Sequence, residues 1–186
     1  MKKAVLLSLR PEWCEKILTG EKTIEIRKTK PKLKTPFKCY IYCTKPTFPH
    51  EDFIVIGSAT DGERPFNCFY GGGKVLAEFT CYQIFPIAFY ASDLGEIQQG
   101  ITVTGAAMTD VNIIEYLGNG KTGYGWHISD LKIYDEPKAL SEFFRPACER
   151  VSDCGSCPQF DRTNMACSRA HILTRAPQSW CYVGEV

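Results

Sequence analysis

Gly20-Glu21-Lys22-Thr23-Ile24-Glu25-Ile26-Arg27 is the stretch on which the reading of this chain turns. The residues before it, 10–19, carry Pro11 in a first turn and Trp13, Cys14, Ile17 and Leu18 at helical spacing, which predicts a helix ending at Gly20. Over 22–28 the period changes to two and predicts a strand, with Thr23, Glu25 and Arg27 on one side and Ile24 and Ile26 on the other. Glu25 and Arg27 then share a face, as an ion pair or as an acceptor and a fork of donors for a base edge. Strict alternation puts Lys22 on the opposite face, so a cluster of all three requires Lys22 to lie in the turn. The plain alternative is an exposed Glu25 and Arg27 pair with Lys22 in solvent, an arrangement of little energetic weight.

Working outward, residues 3–8 predict a strand, and the aromatic and β-branched runs 37–43 and 74–84 predict two more. Residues 44–73 read as a loop, with a short strand conceivable at 53–56. A helix is predicted over 108–117, capped at Thr109 or Asp110, burying Val111, Ile114 and Leu117 and closed by Gly118. A strand follows at 126–134, then a helix opened by Pro137 that buries Leu140, Phe143 and Phe144, and a last strand at 179–183. Many short strands with few helices and no βαβ rhythm predict an α+β chain built on a small barrel or mixed sheet.

The composition supports a core: of 186 residues, 44% are hydrophobic and 23% charged, which excludes disordered and collagen-like classes. No run approaches the roughly 18 apolar residues of a membrane span. The apolar run after Met1-Lys2-Lys3 stops at Arg10, short of the roughly seven to fifteen residues of a signal peptide. A cytoplasmic protein that does not enter membranes is expected. Charge is uneven: residues 1–45 hold twelve Lys/Arg and four Asp/Glu, a net +8, and the remainder is net −7. Such a basic third suits an anionic partner such as RNA, DNA or a nucleotide. Lys28, Lys30, Lys32, Lys34 and Lys38 equally suit a solvated edge that discourages sheet association.

Two apparent phosphate loops fail. Gly73-Lys74 and Gly120-Lys121-Thr122 lack the required glycine five positions earlier, where Cys68 and Glu115 stand. The strongest chemical signal is Cys148, Cys154, Cys157 and Cys167, spaced C-x5-C-x2-C-x9-C in a segment poor in large apolar residues. Four thiolates around one ion make a closed tetrahedron, so a structural zinc is expected, with an iron–sulfur cluster as the other four-thiolate solution. His171 or Cys181 could replace one ligand. Cys14, Cys39, Cys43, Cys68 and Cys81 read as small buried hydrophobes.

The G-x-K-x-x-E-x-R pattern of residues 20–27, directly after Leu9-Arg10-Pro11-Glu12-Trp13, resembles the ASCH domain family of the PUA-like superfamily. The resemblance extends to Trp126-His127-Ile128-Ser129 with Pro137-Lys138, and to Ala176-Pro177-Gln178-Ser179-Trp180-Cys181-Tyr182-Val183. It is closest in kind to the bacterial and prophage variety with a cysteine-rich tail. It implies a PUA-like mixed β-barrel flanked by short helices, with an ASCH domain at 1–145, a metal-binding segment at 146–175 and a strand at 176–186 returning to the barrel. It also implies a cleft that binds RNA, a nucleotide or a nucleoside, for which the candidate residues are Lys22, Thr23, Glu25, Arg27, Tyr124, Trp126 and His127. Tyr124 and Trp126 could stack on a base, although Trp126 suits the core equally. His127 alternates with Trp126, so only one of them faces a given surface.

An enzyme is the alternative. One ASCH branch hydrolyses N4-acetylcytidine with a lysine, a threonine nucleophile three residues later and a glutamate ahead of a helix. Here Lys22 matches the lysine, but Glu25 stands at the threonine position and Ala106 and Ala107 stand where the glutamate would be. Ribonuclease-like cleavage would use Lys22 to stabilise phosphate charge and Glu25 or His127 to move the proton. A third reading is a protein-interaction module whose partner binds the zinc segment.

Overall fold

Residues 4–9 are an unbroken run of buried side chains, the pattern of a strand covered on both faces. The computed structural model, which describes residues 2–45, 53–56, 67–91, 97–99, 103–146, 160, 161, 163, 166, 167 and 172–186, places it inside a sheet. In chain order the elements are β1 (Lys3–Leu9), α1 (Pro11–Leu18), β2 (Ile24–Arg27), β3 (Phe37–Cys43), β4 (Phe53–Ile56), β5 (Asn67–Tyr70), β6 (Lys74–Ala91) and β7 (Ile97–Gln99). They continue with α2 (Asp110–Leu117), β8 (Thr122–Ala139), a 3₁₀ turn (Leu140–Glu142), β9 (Phe160–Asp161), β10 (Ala166–Cys167) and β11 (Trp180–Gly184).

Six strands form the main sheet in the order β11-β1-β3-β6-β8-β2, and β7 pairs with the far end of β6. β1 and β3 run parallel; the other neighbours are antiparallel. β4 with β5, and β9 with β10, are separate two-stranded pairs. The expected barrel is not closed. Among the described residues no strand pairing joins β2 to β11, so the mixed sheet is open, with β2 and β11 at its two ends.

The long strands β6 and β8 bend through register shifts, one of which holds Asp130 at φ 48°. Aspartate tolerates this left-handed backbone better than most residues. The helix expected to open at Pro137 is instead the end of β8 followed by the single 3₁₀ turn. Phe143 is buried there, whereas Phe144 is exposed.

Three apolar clusters hold these elements. The largest packs Val5, Leu7, Ile17, Cys39, Phe79 and Trp126 together between α1 and the sheet. A second gathers Leu6, Tyr40, Phe143 and Val183 on the other side of β1. The third sets Ile24 and Ile26 of β2 against Ile113 and Leu117 of α2. In α2, capped by Thr109 through its bond from the Asn112 amide, Ile113 rather than Val111 is buried. Cys14, Cys39, Cys43 and Cys81 are fully buried thiols, as expected. Cys68 belongs to β5, and its side chain lies outside the described residues. Among the described residues no helix is long and apolar enough to cross a membrane.

Candidate functional site

Gly20 ends α1 in the left-handed backbone, at φ 79°, and its amide returns to the Ile17 carbonyl. The chain then folds back, with the Lys22 amide on the Lys16 carbonyl at 2.7 Å, and β2 starts only at Ile24. Lys22 therefore lies in the turn, three residues before Glu25, as a cluster of the two requires. Gly105 fixes this entry by accepting from the Thr23 and Ile24 amides at 2.8 and 3.0 Å. A side chain at Gly105 would collide with Thr23 Oγ1, and its φ of +87° already demands glycine.

The three charged groups meet below the surface. Lys22, Glu25 and Arg27 are 1%, 5% and 5% exposed. Lys22 Nζ stands 3.5 Å from Glu25 Oε2, donates to the Ala106 carbonyl at 2.6 Å, and sits 5.2 Å from the centre of the Trp13 ring. Arg27 Nε lies 2.9 Å from Glu25 Oε1, close enough for an ion pair though not aligned as a hydrogen bond. Its two other nitrogens face away from Glu25. Nη2 donates to the Ser8 carbonyl at 2.8 Å, and Nη1 reaches Ser179 Oγ and the Ser179 carbonyl at 3.2 and 3.4 Å. Burial lowers the Lys22 pKa, and Glu25 works against that fall. Burial likewise raises the Tyr116 hydroxyl above its ordinary value.

The trio floors an open cavity of about 800 Å³, within the size range of small-molecule sites. Apolar walls come from Trp13, Ile26 and Met108; Asn112, Glu115 and Tyr116 of α2 line another side, and Gln178 and Ser179 a third. Ser8 also lines it, and its Oγ is buried without a hydrogen-bond partner. Two cations against one carboxylate leave the floor with one positive charge in excess, in surroundings where charge is poorly screened.

The other sequence candidates stand elsewhere and do not line this cavity. Thr23 is exposed beside Gly105. Trp126, opposite Glu25 on β8, is fully buried in the main core and packs edge-on against Phe37, so it offers no face for stacking. Tyr124, opposite Arg27, packs against the same core with Lys30 over its ring. His127 is opposite Ile24, with its ring against Tyr82 and its Nδ1 buried without a partner. Sequence reasoning missed Ser8, Trp13, Tyr116 and Ser179, which come from four different parts of the chain; only the sheet order and the packing of the two helices bring them together.

Cys148, Cys154, Cys157 and His171 lie outside the described residues. Of Cys167 the backbone is described, paired with Phe160 across β9 and β10. Cys181 is partly buried against the second core cluster. Among the described residues no three His, Cys, Asp or Glu side chains gather as a metal site.

The ASCH domain family model matches residues 7–111, more than half of the chain. Similar solved structures are ASCH proteins of Zymomonas mobilis. A tyrosine-to-phenylalanine mutant of ZmASCH is 16% identical with a TM-score of 0.54, over 99% of this chain and 92% of that one. A serine-to-alanine mutant is 14% identical with a TM-score of 0.53, over 98% and 89%. At such identities the likeness is one of fold. No curated protein matches the sequence.

Proposed function

The chain belongs to the ASCH domain family, and on that footing we propose that it binds RNA, or a single nucleotide, in the cavity floored by Lys22, Glu25 and Arg27. One observation carries the reading: the floor is a buried group of two cations and one carboxylate, with an unpartnered hydroxyl at Ser8 beside it. A phosphate neutralises the excess charge, Ser8 supplies a further hydrogen bond, and the Trp13 ring gives a base an apolar wall.

The test is titration of the protein with uridine and adenosine 5′-monophosphates and with short single-stranded RNAs. Binding that weakens steeply with salt is expected. Two variants should weaken it: Arg27→Gln, which removes charge, and Asn112→Trp, which fills the cavity mouth from an exposed helix position. Absence of binding, or binding indifferent to Asn112→Trp, would sink the reading. Mass analysis of the same mixtures separates binding from turnover. A ribonuclease-like reaction would rest on Lys22 and Glu25 without His127, which does not line the cavity. For amide hydrolysis, Glu25 stands where the hydroxyl nucleophile should be.

We also propose that Cys148, Cys154, Cys157 and Cys167 hold a structural zinc. The two-residue strands β9 and β10 support this reading, because so short a pair does not hold itself together in water. Elemental analysis should give about one zinc per chain; iron, or no metal, would overturn it.

A further inference from the structure

We propose that the loop between β2 and β3, from Lys28 to Lys34, is a phosphate track for single-stranded RNA that leads the strand into the cavity; this rests on the reading of the cavity above. Lys28, Lys30, Lys32 and Lys34 are all exposed, and among the described residues none of them makes an ion pair. Three of the four acids of the basic third are engaged elsewhere: Glu12 with Arg10, Glu21 with Lys16, and Glu25 with Lys22 and Arg27; the fourth, Glu15, stands on α1. Lys38 is held by Glu78. Four exposed lysines without an ion pair among the described residues, and no acid, thus stand within the seven residues of this loop.

The loop is also fixed from beneath. Pro31 is buried and Leu33 packs against the main core. Trp180 Nε1 donates to Thr29 Oγ1 at 3.0 Å, and the Lys32 amide donates to the Tyr182 hydroxyl at 2.7 Å. Its backbone is ordered on folding, so little of that cost falls on binding. Two ammonium groups lie 5.2 Å from aromatic ring centres, Lys28 over Tyr116 and Lys30 over Tyr124. Rings interleaved with cations are the makings of a single-strand groove. The track starts at the cavity rim, because Tyr116 and Arg27 both line the cavity and Lys28 follows Arg27 directly.

Lysines that merely keep the molecule soluble would show no dependence on ligand length, and this separates the two accounts. The full chain and the Lys30→Gln/Lys32→Gln/Lys34→Gln variant, all three positions exposed, are titrated with uridine 5′-monophosphate and with an oligouridylate of about ten nucleotides. The oligonucleotide should bind more tightly than the mononucleotide to the wild type. In the variant its affinity should fall about tenfold or more, and its logarithmic salt slope should flatten by about two units for three lost phosphate contacts. Mononucleotide binding should not change. Equal oligonucleotide affinity and slope in both proteins, with the mononucleotide still bound, overturns the track and leaves the cavity reading intact. Loss of oligonucleotide binding in the variant, when no mononucleotide binds and Asn112→Trp has no effect, overturns the cavity and with it a track that leads into it, leaving the lysines as a surface site for RNA. Binding to phosphatidylserine vesicles that needs the same lysines, without RNA binding, overturns the proposal in favour of a membrane surface.

Discussion

Arg27 on β2 donates through Nη2 to the Ser8 carbonyl on β1 at 2.8 Å, joining two parts of the sheet that no strand pairing connects. The same guanidinium reaches Ser179 just before β11, so one side chain bridges from one end of the sheet to the other. Lysine keeps the charge but not the fork. Arg27→Lys should therefore lower unfolding free energy by on the order of 1–3 kcal/mol through lost charged hydrogen bonds. Arg27→Ala should cost about 3–5 kcal/mol, since it also strips Glu25 of a partner. Urea unfolding measures both; a lysine variant as stable as wild type would mean that the seam does not depend on the guanidinium.

Lys22 gives a pH signature. Burial holds its folded pKa below the ordinary 10.5, and Glu25 offsets this only in part. A lysine with a lowered folded pKa burdens the fold while charged, and the burden lifts as the folded ammonium loses its proton. The stability of wild type relative to Lys22→Met should accordingly rise as pH climbs toward 10.5, the unfolded value. Using the difference cancels the tyrosines that titrate in the same region. Parallel stability curves for the two proteins from about pH 8 upward would contradict the buried placement of Lys22.

What could be read from residues 20–27 was local. Gly20 ends the helix, two-residue alternation puts Glu25 beside Arg27, and the turn supplies Lys22; each depends on neighbours within a few positions. The partners of Arg27 were not legible, because Ser8 and Ser179 meet it only through the order of strands in the sheet. The same limit explains Trp126, whose alternation with His127 is correct but says nothing of which face is core. In α2 the apolar residues at 111, 114 and 117 fit a helix as well as Ile113 and Leu117 do. The packing of Ile24 and Ile26 against α2 selects the second pair. At Pro137 the composition suggested a helix start, yet proline also fits a strand at a register shift, where no ladder bond is owed.

Away from the cavity, Glu78 on β6 accepts from Lys38 Nζ at 3.0 Å and from the Tyr134 hydroxyl at 2.8 Å. Burial alone would raise its pKa, but these two bonds together with the charges of Lys38 and Lys132 outweigh it and hold the carboxyl below 4.5. Its contribution should be present above that value and vanish as pH falls through the folded pKa. Glu78→Gln, which keeps an acceptor oxygen but not the charge, should cost about 1–2 kcal/mol at neutral pH, mostly because the Tyr134 bond becomes a neutral one, Lys38 being partly screened, and nothing at about pH 2. Tyr134 carries the opposite sign: burial first, then Glu78, raise its pKa. Its stabilisation is complete below 10 and lost as pH rises through the folded value, so Tyr134→Phe should flatten the alkaline decline. Thermal melts across the pH range test both, and a gap that persists undiminished into acid would exclude an ionised Glu78 as its source.

Ser8 separates the energetics of folding from those of binding. The residue is 6% exposed and its Oγ has no hydrogen-bond partner although it lines the cavity. An unpaired buried hydroxyl costs roughly 1–3 kcal/mol, which alanine would not incur. Ser8→Ala should leave the free protein as stable as wild type or more so, because the Ser8 backbone bonds to Arg27 and Ser179 are kept. If the hydroxyl completes its bonding with a bound phosphate or base, the same variant should bind nucleotide about five- to tenfold more weakly, the value of one hydrogen bond. Paired measurements of melting temperature and nucleotide affinity decide this. A less stable variant with unchanged affinity would make the hydroxyl part of the fold and remove it from the site.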